Sequence, residues 1–123
     1  MARALGIGGV FFKSPDPGRL CDWYQRWLGL RIGAYPGTEF HARDLPVGAY
    51  TVWSAFPADT EYFGPADQSF MVNLIVDDLD AALAQVAEGG AQVVKEPEES
   101  ELGRFGWFVD PDGHRVELWQ MAP

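Results

Sequence analysis

Hydrophobic and polar positions follow one order in the first part of the chain. An apolar run at 6–12 (GIGGVFF) comes before Asp16, which has Pro17 behind it. Apolar side chains then recur at helical spacing, at Leu20, Trp23, Tyr24, Trp27 and Leu28, until Gly29. An aspartate followed by proline is typical of a helix start, and glycine of a helix end. The pattern therefore predicts a strand, a helix and a returning strand.

The second part of the chain repeats this order. A strand pattern covers 71–76, and Asp78 then precedes a helical pattern whose apolar face includes Ala82, Leu83 and Val86. Gly89 and Gly90 end the predicted helix before another strand pattern at 91–94. The two repeats begin at Gly9 and Met71. We interpret them as copies of one structural unit.

Each repeat continues into a predicted hairpin. Its strands are expected at 39–43 and 49–56 in the first half, and at 105–109 and 114–120 in the second. The last two are joined by Asp110-Pro111-Asp112-Gly113, which is typical of a tight β-turn. The sequence thus predicts two βαβββ modules, at about 1–56 and 70–123, with a linker at about 57–69. One helix covers only one face of a small sheet, so we expect an α+β fold, with one curved mixed sheet around a cleft.

Size and charge narrow the possible functions. The 123 residues fit a single domain, and no apolar stretch is long enough for a membrane span. The net charge of −9 arises wholly after residue 64, and it disfavours nucleic acid and anionic membranes as partners. A single cysteine, Cys21, excludes an internal disulfide, and with no apparent export signal we expect a cytoplasmic protein.

The duplicated unit and its motifs resemble the vicinal oxygen chelate superfamily. The motifs are WYQRWLGL at 23–30, VDDLDAAL at 76–83 and DPDGHRVELW at 110–119. This superfamily includes glyoxalase I, extradiol dioxygenases and bleomycin-resistance proteins. The resemblance implies the glyoxalase/bleomycin-resistance fold, usually as a homodimer, with a ligand or a divalent metal in the concavity of a U-shaped sheet.

The resemblance also implies four metal-ligand positions, normally filled by His, Glu or Gln. Here they fall on Gly9, on Met71, within 49–54 (AYTVWS) and on Glu117. Only the last has a competent side chain, and one carboxylate holds a hard cation weakly. We therefore expect no metal or other cofactor. A second interpretation of Glu117 is a strand carboxylate that faces solvent or pairs with Arg104 or Arg115.

Strand alternation predicts which side chains line the cleft. Val116 and Leu118 should face a helix, which leaves Glu117 on the opposite face. The same reasoning applied to the other strands gives Trp107, Trp119, Asn73, Met71 and Phe11 as further cleft residues. His41, on a predicted strand of the first half, could replace a missing ligand or act as a base, and it completes the candidate ligand-binding set. Aromatic walls with a few polar groups suit a small, partly flat organic ligand. Alternatively, His41 is a surface residue, and the indoles close a dimer core.

Three functions fit these patterns. The first is a homodimer that binds a small aromatic or cationic molecule without chemistry. The second is a lyase, isomerase or dioxygenase of the same superfamily, in which His41 or Glu39 joins Glu117 around a metal, or in which Glu117 is a metal-free general base. The third is an interaction domain whose cleft is filled by its own loops or by a partner chain.

Overall fold

The first helix forms where the sequence predicts it. In the computed structural model, which describes residues 1–65 and 67–123, helix α1 spans Pro17–Leu28. The side chain of Asp16 accepts a hydrogen bond from the backbone N–H of Arg19 at 3.1 Å, and this cap satisfies a free donor of the first turn. Gly29 ends the helix in the left-handed conformation, with φ of 68°. Glycine takes this conformation without steric cost.

The second helix, α2, spans Leu79–Glu88 and is built in the same way. The side chain of Asp78 accepts a hydrogen bond from the backbone N–H of Ala81 at 3.0 Å. Both helices are therefore capped by the predicted aspartates. The predicted glycine stop is also confirmed, because α2 gives way to Gly89 and Gly90.

The sheet is mixed and contains five strands. They are β1 (Asn73–Ile75), β2 (Gln92–Val93), β3 (Glu98–Ser100), β4 (Gly103–Val109) and β5 (Arg115–Met121). Strand β5 lies between β1, which runs parallel to it, and β4, which is antiparallel. Strands β2 and β3 both pair antiparallel with β4. The α+β fold class predicted from the sequence is confirmed.

Strands β2 and β3 act as one interrupted strand along the outer edge of β4. Gln92 pairs with Val109 at one end of β4, and Ser100 pairs with Gly103 at the other. With this edge counted as a single strand, the second half of the chain has the predicted order βαβββ.

The hairpin between β4 and β5 is held by a buried aspartate. Its turn closes with a hydrogen bond from the backbone N–H of Gly113 to the carbonyl of Asp110 at 2.9 Å. The carboxylate of Asp110 accepts from the backbone N–H groups of Asp112 and His114, each at 3.0 Å, and from the hydroxyl of Tyr24 at 2.9 Å. Because Tyr24 lies on α1, this carboxylate ties the first half of the chain to the second.

The core lies between the helices and one face of the sheet. It contains Leu20, Tyr24, Leu79, Ala82, Leu83, Val86, Phe108, Val116 and Leu118. Phe108, Val116 and Leu118 alternate with residues that face the other way, as predicted for β4 and β5. We call the opposite face of the sheet, which neither helix covers, the open face.

The prediction of strands in the first half is wrong, because they do not form in the single chain. In the described structure, the segments at 6–12, 39–43 and 49–56 form no strands, and only a short 3₁₀ turn occurs, at Ala42–Asp44. Val10, Phe11, Phe12, Val52 and Trp53 are exposed. A strand needs a neighbouring edge to pair its backbone groups, and these segments pair with no strand of the described sheet.

Part of the linker predicted at 57–69 reaches the open face, where the hydroxyl of Tyr62 donates a hydrogen bond to Glu117. Position 66 of this linker lies outside the described residues. Among the residues that are described, no helix is long and apolar enough to span a bilayer.

Candidate functional site

Three neighbouring strands place side chains that can form hydrogen bonds in one row on the open face. The register pairs Glu117 of β5 with Asn73 of β1 on one side and with Trp107 of β4 on the other. Residues directly opposite each other in adjacent strands point to the same face of a sheet. The row Asn73, Glu117 and Trp107 therefore follows from register alone, and it is the row that strand alternation predicts.

Glu117 is buried and accepts hydrogen bonds on both carboxylate oxygens. Its exposed fraction is 7%. Oε1 accepts from Nδ2 of Asn73 at 2.6 Å, and Oε2 accepts from the indole Nε1–H of Trp107 at 2.9 Å. The hydroxyl of Tyr62 donates a further hydrogen bond to Oε2. Buried carboxylates are costly unless hydrogen bonds replace their water, and here three donors do so.

Tyr62 comes from the predicted linker rather than from a strand. Its ring meets the indole of Trp107 edge-on, with centroids 6.1 Å apart, and stacks on Phe56 at 5.5 Å. Its backbone carbonyl accepts a hydrogen bond from Nη1 of Arg115 at 3.4 Å. Burial, followed by the hydrogen bond and charge of Glu117, raises the pKa of the Tyr62 hydroxyl far above its usual value. The phenol is a donor at neutral pH, as an ordinary tyrosine is, and the raised pKa keeps it protonated at alkaline pH as well.

Lys95 supplies a positive charge at the same place. Its Nζ lies 4.2 Å from the centroid of the Trp107 ring and 5.9 Å from that of the Tyr62 ring. The same ammonium group forms an ion pair with Glu98, with 2.9 Å between Nζ and Oε2. A cation over an aromatic face is attracted by the negative face of the ring. The indole of Trp107 therefore already has a cation beside it.

A second aromatic cluster continues the open face beyond Glu117. The ring of Trp119 stacks on Phe105 with centroids 5.4 Å apart, and Tyr50 meets it edge-on at the same distance. The indole N–H of Trp119 donates to the backbone carbonyl of Leu102 at 2.9 Å. Trp119 is thus held firmly, and its ring extends the apolar part of the open face.

The remaining predicted site residues lie outside the row. Phe11 is 92% exposed, because its segment does not pair with the sheet. His41 is exposed and contacts Glu39, with 3.0 Å between Nε2 and Oε1. Met71 is half-buried and precedes β1. The expectation that Phe11 lines the cleft beside Glu117 is therefore wrong for this structure.

The donor set around Glu117 does not fit the divalent metal that the resemblance implies. Both carboxylate oxygens already face N–H or O–H hydrogens, which would point at a cation. Across the residues that the structure describes, no three His, Cys, Asp or Glu side chains come together as a metal-binding group. Gly9, at the first implied ligand position, has no side chain to coordinate an ion.

Two small cavities lie away from the row. One, of about 240 Å³, is bordered by Glu99, Arg104 and Gln120, and the other, of about 180 Å³, by Gln68, Phe70 and His114. Neither is lined by Glu117. The chemistry of the open face, with its buried carboxylate and aromatic rings, makes it the stronger candidate for a site, although Tyr62 now covers Glu117.

Two residues of this site were missed by reasoning from the sequence. Tyr62 belongs to the predicted linker, which has no periodicity, so no sequence pattern assigned its side chain to the sheet. Lys95 follows the strand pattern at 91–94, and nothing in the sequence indicated its contact with Trp107. Both reach the open face from irregular segments, which strand alternation does not describe.

Comparison with known proteins identifies relatives of this chain. The family model of the glyoxalase-like domain, which describes the sequences of that family, matches residues 9–119 of this chain. Among solved structures, the chain is similar to TnmS3, an antibiotic binding protein from Streptomyces sp. CB03234. The two chains are 26% identical, each is covered to 89%, and the TM-score is 0.55.

A second solved structure supports the fold alone. It is a protein of unknown function from Agrobacterium tumefaciens, with 20% identity and a TM-score of 0.54. The match covers 97% of this chain and 100% of that one. The search of curated proteins finds no match.

Proposed function

Since the chain belongs to the glyoxalase-like domain family, we propose that it binds a small, flat aromatic molecule on the open face, beside Glu117 and Trp107. The observation that carries this proposal is the row itself, in which a buried carboxylate lies against an indole. Aromatic surface with few polar groups is the usual composition of a small-molecule site. The similarity to TnmS3, described as an antibiotic binding protein, supports the same class of function.

We further propose that binding needs no divalent metal. Glu117 is fully engaged by hydrogen-bond donors, and the other implied ligand positions lack competent side chains. Elemental analysis of protein purified without a polyhistidine tag tests this. We expect well under one zinc, iron, manganese or nickel per chain. About one ion per chain that disappears in Glu117→Ala would contradict the proposal.

A thermal-shift screen with aromatic compounds tests the proposed binding. A compound present at about 100 times its dissociation constant adds about 2.7 kcal/mol of apparent stability, which such a screen detects. Trp107→Ala should weaken the binding of any hit at least tenfold, since it removes the ring that faces Glu117. Phe40→Ala is the control, because Phe40 is an aromatic residue that is 61% exposed and lies outside the row and the aromatic clusters around it. Equal binding by both variants would place the ligand elsewhere.

We also propose that the protein is a homodimer. The support is the exposed apolar surface of the first half, which includes Val10, Phe12, Val52 and Trp53. Exposed apolar surface on this scale is typical of an interface between chains. Sedimentation at micromolar concentration should give twice the mass of the chain, and the mass of a single chain would contradict the proposal.

A further inference from the structure

The side chain of Tyr62 occupies the proposed site in the way a small ligand would. Its hydroxyl donates to Glu117, its edge meets Trp107 and its face stacks on Phe56. A phenol ring thus has a carboxylate acceptor for its hydroxyl and aromatic rings around it.

The groups that hold this phenol belong to a different part of the fold from the phenol itself. Glu117 and Trp107 lie on paired strands, and their positions are fixed by the register of β4 and β5. Tyr62 lies outside the helices and strands, and its side chain is 36% exposed. The ring can therefore leave Glu117 without breaking the sheet.

The position of Lys95 disfavours a cationic ligand stacked on the ring of Trp107. The carboxylate already accepts from Asn73 and Trp107, and the ammonium group of Lys95 lies against the indole. A cationic ligand stacked on Trp107 would be repelled by Lys95 or would have to displace it. A neutral hydroxyl meets no such repulsion, and it replaces the donor that Tyr62 withdraws.

We propose that the ligands of this site are small phenols, whose hydroxyl replaces that of Tyr62 on Glu117. The inference rests on the proposed function, and it makes Tyr62 an internal competitor that sets selectivity. A ring without a hydroxyl would leave the buried carboxylate one donor short, so it binds more weakly.

The test is to remove the competitor and supply a free phenol in its place. Calorimetric titrations of Tyr62→Ala with p-cresol and with 4-methylanisole compare a ring that can donate a hydrogen bond with one that cannot. We expect p-cresol to bind at least tenfold more tightly than 4-methylanisole, which is the factor that one hydrogen bond to a carboxylate supplies. We also expect p-cresol to bind at least tenfold more tightly to Tyr62→Ala than to the wild type.

A matched control is present in the first half of the chain. The hydroxyl of Tyr35 donates to Glu39 at 2.9 Å, so Tyr35→Ala also removes a phenol from a glutamate. That glutamate side chain is 63% exposed, and water competes for it. Tyr35→Ala should therefore bind p-cresol no better than the wild type, and a gain equal to that of Tyr62→Ala would overturn the proposal.

The outcomes separate this inference from the proposed function. Equal affinity of Tyr62→Ala for p-cresol and 4-methylanisole would refute the selectivity for phenols but leave an aromatic site. Failure of the variant to bind either compound would refute both. If Tyr62→Ala does not fold, Tyr62→Phe keeps the ring and removes only the competing hydroxyl. It should bind p-cresol several-fold more tightly than the wild type, and unchanged affinity would contradict the inference.

Discussion

Replacement of Glu117 by glutamine tests whether the charge of this carboxylate holds the open face together. The amide has nearly the same shape, so Glu117→Gln creates no cavity. Its oxygen can still accept from the indole of Trp107, while its NH₂ group takes the other carboxylate position. Asn73 is exposed and can turn its own amide to accept from that NH₂ group. The substitution therefore removes mainly the charge.

The expected loss of stability follows from the three hydrogen bonds. A hydrogen bond to a charged acceptor contributes about 1.5 to 3 kcal/mol, and one between neutral groups about 0.5 to 1.5, so each bond weakens by about 1 kcal/mol. The bond from Trp107 counts fully, because the exposed fraction of that residue is 1%. The bonds from Asn73 and Tyr62 count in part, because water reaches both side chains. We expect a total loss of about 2 kcal/mol.

Thermal unfolding followed by circular dichroism measures this loss, at one fixed protein concentration because the protein is proposed to dimerise. For a chain of this length, 2 kcal/mol lowers the midpoint by roughly 8 °C. Glu99→Gln is the control, since the side chain of Glu99 is 75% exposed and its replacement should cost less than about 0.5 kcal/mol. If Glu117→Gln were as stable as the wild type, the carboxylate would not stabilise the site. Greater stability would mean that the desolvation of Glu117 outweighs its hydrogen bonds.

Two further predictions concern the scaffold. Gly103→Ala should prevent stable folding, because a Cβ at this position would lie 2.2 Å from the backbone oxygen of Gln120. In Gly113→Ala the new Cβ meets no atom within 4 Å, so the substitution should cost only about 1 to 2 kcal/mol of backbone strain. Urea unfolding compares the two variants, and equal losses of stability would contradict the argument. Tyr24→Phe should destabilise the protein by about 1.5 to 3 kcal/mol at neutral pH, since Asp110 loses a donor. Burial, then the charge of Asp110, raises the pKa of Tyr24 above its usual 10.0, so this stabilisation is fully present below pH 10 and falls as the pH rises further. The stability of the wild type should therefore decline more steeply above pH 10 than that of Tyr24→Phe, and parallel pH profiles from urea titrations would show this reasoning to be wrong.

The helices and the last hairpin were predictable because local rules determine them. Asp16 and Asp78 each cap a helix through a hydrogen bond to the third residue beyond, which is a contact that sequence spacing defines. The turn at Asp110 likewise depends on residues close in sequence. The prediction that Glu117 and Trp107 share a face also succeeded, because the period of a strand is two residues and one turn sets the register.

The rest of the first half, outside α1, could not be predicted in the same way. Its apolar runs suggest strands, but a strand exists only where another edge accepts its hydrogen bonds, and a sequence pattern does not say which edge that is. Phe11 was assigned to the cleft by alternation within such a run, and it is exposed. Tyr62 was missed for the opposite reason. Its contact with Glu117 spans 55 positions from an irregular segment, and no short-range rule connects the two.

The carboxylate of Glu117 already accepts three hydrogen bonds, and this determines how the proposed site would discriminate between ligands. A phenol that displaces Tyr62 exchanges one hydroxyl donor for another, so the hydrogen bond adds little net affinity to the wild-type protein. Net affinity must then come from apolar contact with Trp107 and Phe56 beyond that which the ring of Tyr62 already makes, and this depends on the area and flatness of the ligand ring. The ligand hydroxyl matters mainly because ligands that lack it bind more weakly. Such a ligand leaves the carboxylate with only Asn73 and Trp107 as donors. Glu117 would thus exclude wrong ligands more than it attracts right ones.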